Sequence, residues 1–129
     1  MNIEQLKKYP KALLRFDEWL SEKYLHIDHD WQTNEIWVQA TETAPSRRLN
    51  NYELNGLLTE FFDEQGIIME MRLVKGYSGR GFDIPTSKWW VRIWGSSENQ
   101  NITTKAKSSR QLAFDVGIEK CFEILEQLH

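Results

Sequence analysis

The chain has 129 residues, 40% hydrophobic and 12% aromatic, with a formal net charge of −3. That suffices for one domain with a real core and gives no bulk basic footprint for nucleic acid. A lone cysteine, Cys121, excludes an internal disulfide and fits a reducing compartment. Met1–Lys8 has no apolar signal region and no run approaches the ~20 residues of a membrane span, so a cytoplasmic protein is expected.

Asn2 and Gln5 have capping-box spacing for a short first turn carrying Ile3 and Leu6. Pro10 suits the first position of a helix to about Leu25, whose stripe is Leu13, Phe16, Leu20 and Tyr24, flanked by Trp19. His26–Asp30 reads as a polar turn, Ile36–Val38 as a short strand at a sheet edge, and Thr41–Arg48 as a loop around Pro45.

Asn50 and Glu53 again have capping-box spacing, ahead of Leu54, Leu57, Leu58, Phe61 and Phe62 at the helical period. Gly66 is placed for the C-terminal cap. A strand follows, with Ile67, Met69, Met71 and Leu73 on one face and Ile68, Glu70, Arg72 and Val74 on the other. Gly76–Ser87 reads as a glycine-rich connection. Lys88–Trp94 is the central strand, because aromatic and β-branched residues suit a pleated surface and Gly95 ends the run. Gly95–Gln100 reads as a turn and Asn101–Ala106 as a third, more polar strand. Ser108 and Gln111 open a last helix to about Gln127, whose apolar arc holds Phe114, Ile118, Cys121, Phe122, Leu125 and Leu128. Gly117 on its margin suits close packing on a sheet.

The expected fold is α+β: an antiparallel sheet (meander) of three to four strands packed with helices, in the order α-α-β-β-β-α. It is read as a single domain over 1–129. Residues 1–50 make an N-terminal helical region and loop, and 51–129 the α-β-β-β-α core.

Trp89, Val91 and Ile93 make an ordinary core face. The other face of that strand alternates Lys88, Trp90, Arg92 and Trp94, with Arg72 next door. Two Trp facing water are costly, so a cover is expected: the first helix, then a protein partner or a second copy of the chain, then nucleic acid. Arg72, Lys88, Trp90, Arg92 and Trp94 are the candidate interaction surface, since Trp and Arg are enriched in protein interfaces. Bases also stack on exposed aromatics while cations meet phosphates. On that nucleic-acid reading Lys105, Lys107 and Arg110 join the contacts.

His26, Asp28, His29 and Asp30 are of metal-ligand type, but a stable site needs more convergent ligands than a solvated turn supplies. Gly76–Gly81 is not a phosphate loop, because Pro85 and a strand follow it rather than a helix. Cys121 sits mid-helix on the apolar side, where an inert thiol is expected, and no Gly-x-Ser-x-Gly elbow occurs. No catalytic, cofactor or metal residue is assigned, and an enzyme is not expected.

The order α-β-β-β-α from about Asn50 resembles a double-stranded RNA-binding domain, whose basic motif lies at the start of the last helix, near Lys105, Lys107 and Arg110 here. That family's Lys-Lys-x-Ala-Lys pattern is not matched. The ending Ser109–Ala113 through Gly117–Glu126 resembles the closing helix of short uncharacterised proteins of bacteria and their phages, which implies only a bacterial or phage origin, that group having no established activity to transfer.

Overall fold

The computed structural model describes residues 3–77, 83–95 and 101–128, with the side chains of 75–77, 83–87 and 101 excepted. The fold is α+β, with two antiparallel three-stranded sheets. The chain divides into two compact units, residues 1–61 with 122–129 and residues 62–121. The Gly79–Gly81 part of the glycine-rich stretch, with Arg80, and most of the Gly95–Gln100 turn lie outside the described residues.

The first unit opens with a 3-10 turn, Ile3–Lys8, that buries Ile3 and Leu6. Helix α1, Pro10–Lys23, follows with proline at its first position, where the missing N–H is not needed. Its buried stripe is Ala12, Phe16 and Leu20. Phe16 packs at ring-centroid distances of 5.2 Å from Phe61 and 6.2 Å from Phe122, the latter edge-on. Trp19 lies against both Phe16 and Phe61. The Ala12 N–H, one of the orphan donors at the helix start, donates to Glu126 Oε2 at 2.8 Å.

Residues 26–50 depart from the sequence expectation. His26–Asp30 is strand β1, not a turn, and Glu35–Gln39 is strand β2. Arg47–Arg48 is a short strand, β3. The sheet order is β1-β2-β3, so Ile36–Val38 lies in the central strand rather than at an edge. The missed signal was the pairing of Ile27 with Val38 and of His29 with Ile36, which gives β1 an inward face despite its polar sequence. The turn sits one step later. Asp30 Oδ1 accepts from the backbone N–H groups of Gln32 and Thr33, both at 3.2 Å, and Asn34 takes φ 61° before β2 begins. The Ile3 N–H donates to Asn34 Oδ1, which ties the 3-10 turn to this hairpin.

Helix α2, Asn51–Glu64, starts with the expected reciprocal cap. The Glu53 N–H donates to Asn50 Oδ1 at 2.8 Å, and the Asn50 N–H donates to Glu53 Oε1 at 3.4 Å. Arg47 binds the same Glu53 at 2.7 Å, which holds that carboxyl below its ordinary range. Gly66, at φ 77°, ends the helix in the left-handed region that glycine favours.

The second unit is a meander of β4, Ile67–Tyr77, β5, Asp83–Gly95, and β6, Asn101–Thr103. Thus α-β-β-β-α is present from Asn51, closed by α3, Arg110–Gln127. β4 and β5 are longer than expected, since Gly76 and Tyr77 still pair, with Ile84 and Asp83, so Gly76–Ser87 is largely hairpin strand, whereas β6 ends at Thr103 rather than Ala106. Pro85 is accommodated opposite Lys75, in a stretch of β5 with no second neighbouring strand among the described residues.

Helix α3 seats on the face of this sheet that carries Met69 and Val91. A Cβ on Gly117 would lie 2.7 Å from Met69 Sδ and 3.0 Å from Val91 Cγ1, so only glycine allows this approach. Met69 can swing aside, but the β-branched Val91 is stiff. Gly56, exposed on α2, meets nothing within 4 Å. Opposite outcomes are therefore expected from one chemical change. Gly56→Ala should raise stability by about 0.5–1 kcal/mol through helix propensity. Gly117→Ala should lower it by about 1 kcal/mol, because overpacking outweighs the same gain. Urea denaturation of both variants checks the pair.

Candidate interaction face

The register of β4 with β5 builds the site. Residues directly opposite each other in an antiparallel pair share a face. Met69 pairs with Ile93, Met71 with Val91 and Leu73 with Trp89, which makes the face under α3. Ile68 pairs with Trp94, Glu70 with Arg92 and Arg72 with Trp90, which makes the opposite face. Lys88 follows Trp90 on that side by alternation. All five residues singled out from the sequence, Arg72, Lys88, Trp90, Arg92 and Trp94, thus share one surface.

The two faces differ in burial. Val91 and Ile93 are completely buried. On the opposite face Ile68 is 42% exposed, Arg72 and Lys88 are exposed, and Trp90, Arg92 and Trp94 are each half-buried. None of the described side chains on the Trp90 face reaches the buried state.

Charge on this face is ordered. The Arg72 guanidinium lies 2.6 Å from Glu70 Oε1. The Arg92 guanidinium lies over the Trp94 ring, 5.1 Å from its centroid, an arrangement that holds a cation flat against an aromatic surface. Sequence reading passed over Ile68 and Glu70 as members of this surface. Their face was legible from alternation, but their pairing with Trp94 and Arg92 needed the register.

Two of the cations named for the nucleic-acid alternative lie near Trp89 rather than on the Trp90 face. Between the pairs Arg92–Thr103 and Trp89–Lys107 there are two residues on β5 and three on the other chain segment. This bulge pairs Lys107 with Trp89, on the α3 side of the sheet. Arg110 lies 5.8 Å from the Trp89 ring centroid. Lys107 and Arg110 are therefore placed with Trp89, on the other side of the sheet from Arg72, Lys88 and Arg92; Lys105 is exposed.

In the first unit, strand alternation also divides the His/Asp run. His29 shares the inward face with Ile27, while His26, Asp28 and Asp30 lie opposite Gln39, Trp37 and Glu35. No group of three or more His, Cys, Asp or Glu suited to a metal ion occurs among the described residues. His29 Nε2 instead approaches Asp17 Oδ1 on α1 to 2.9 Å. Both atoms are shielded from water, and the approach lacks hydrogen-bond alignment. The His29 ring stacks on Trp31 at 5.0 Å, with Lys7 Nζ 4.5 Å above Trp31. A depression of about 670 Å³ beside them is lined by Trp31 and Trp37, by Glu4, Asp28 and Asp30, and by Lys7. Asp30 is held below its ordinary range first by the Thr33 backbone N–H. These contacts secure the hairpin.

Cys121 is completely buried, and burial pushes its thiol up to about 12. The thiolate is the reactive form, so it is scarce at neutral pH. Iodoacetamide should leave the folded protein unmodified at neutral pH and label one site after unfolding, as read by intact mass; labelling of the folded chain at the rate of a free thiol would contradict this burial. A scan against protein families, curated proteins and solved structures finds no match to the chain.

Proposed function

We propose that this is a small cytoplasmic interaction protein that associates with itself through the Trp90/Trp94 face. The observation that carries the reading is the asymmetry of one sheet: Val91 and Ile93 are fully buried, while Ile68, Trp90 and Trp94 one residue away keep water contact. An aromatic surface interleaved with arginine has the composition of an interface centre. A reducing compartment suits a chain whose only cysteine is a buried thiol. No described helix is long and apolar enough to cross a membrane.

The bulge that places Lys107 and Arg110 with Trp89 favours a protein over a nucleic acid on this face. The expected result is a concentration-dependent rise in solution mass by light scattering. It should be lost in the Trp90→Ser/Trp94→Ser double variant with circular dichroism unchanged. Titration with single- and double-stranded RNA and DNA at low salt should give no signal. A monomeric wild type that binds nucleic acid with steep salt dependence would replace this reading by the other.

A further inference from the structure

We infer that the occupant of this face is a second copy of the chain, related by a two-fold axis running across the strands at the level of Met71 and Val91. The inference rests on the self-association reading above and adds its geometry. A two-fold interface must be complementary to itself: what one copy presents at a position, the other must answer at the mirrored position. Two sheets packed face to face with antiparallel strands satisfy this when each strand lies over its own counterpart.

With the axis at the Met71/Val91 level, each residue on the face meets the one equally far on the other side. Glu70 of one copy then faces Arg72 of the second copy, and Arg92 faces Trp90. Trp94 faces Lys88, and Ile68 faces Val74. Each cation on the face thus receives an answering group, a carboxylate for Arg72 and an indole for each of Arg92 and Lys88.

The contacts within one chain extend into this arrangement. Arg72 already binds Glu70 at 2.6 Å, so two copies close a ring of alternating charges, Glu70–Arg72–Glu70–Arg72. Arg92 already lies over Trp94 and gains a second indole on its other face. Stacking in the parallel sense, about an axis along the strands between β4 and β5, would instead place Arg72 over Trp90 and Glu70 over Arg92 of the second copy, so that Glu70 and Arg72 would not meet across the interface. Glu70 and Arg72 are therefore the residues that set the register.

The test uses charge reversal and mixing, on the full chain. Glu70→Arg alone gives a face with Arg at both positions, and Arg72→Glu alone a face with Glu at both. Each variant should self-associate about tenfold more weakly than wild type, or worse. An equimolar mixture of the two should recover association, although neither chain regains its internal Glu70–Arg72 pair. The Glu70→Arg/Arg72→Glu double variant should associate as wild type, which the parallel arrangement does not allow, since the exchange would there set an arginine at position 70 against Arg92.

Circular dichroism confirms that each variant is folded; both positions are partly exposed, so the fold should tolerate the change. If wild type associates and Trp90→Ser/Trp94→Ser does not, but the single reversals leave the mass unchanged or their mixture stays monomeric, the face stands and this two-fold arrangement is overturned. If wild type remains monomeric throughout, the self-association reading itself falls, and the inference with it.

Discussion

The pairing of Met71 with Val91 is the constraint on which the open face depends. Side chains alternate with a period of two, so this one register decides every neighbour: Met69 with Ile93 on one side, Glu70 with Arg92 on the other. A slip of one residue along β4 would exchange its faces, sending Glu70 and Arg72 under α3. What guards the register is burial on a single side. Val91 and Ile93 lose all contact with water, at roughly 1.5–3 kcal/mol for each such side chain, and Gly117 lets α3 come close enough to complete that burial. The outer face inherits its order from the inner one.

The energetic character of the two faces differs accordingly. The inner face is held by close packing, where one added methyl group on Gly117 matters. The outer face is held by directional, partly solvated contacts, Arg72 to Glu70 and Arg92 over Trp94. Such contacts contribute little in open water and more once water is excluded. A surface of this kind gains most from being covered.

Much of this was legible in the sequence, for reasons that are local. The reciprocal cap of Asn50 and Glu53, the left-handed Gly66, Pro10 at a helix start and Gly117 against a sheet each follow from one residue's backbone or side-chain chemistry. Residues 26–50 were not legible in the same way. His-Ile-Asp-His-Asp has the composition of a turn, and only its partner strand, Glu35–Gln39, makes Ile27 and His29 inward residues. The same limit applied to the site. The five members named from the sequence share a face because they alternate, but Ile68 and Glu70 joined it only through pairing across the hairpin, and Lys107 left it only through a bulge.

The most direct measurement is an isotope-filtered nuclear Overhauser experiment on a mixed sample of labelled and unlabelled chains. Trp94 and Lys88 lie six residues apart on one strand, ~20 Å within a single chain. A cross-peak between the Trp94 ring and the Lys88 side chain can therefore arise only between two copies. The two-fold arrangement requires that cross-peak, together with one between Trp90 and Arg92 of different chains. Filtered contacts from Trp90 and Trp94 to themselves, or the absence of any filtered contact from this face in an associated sample, would contradict it.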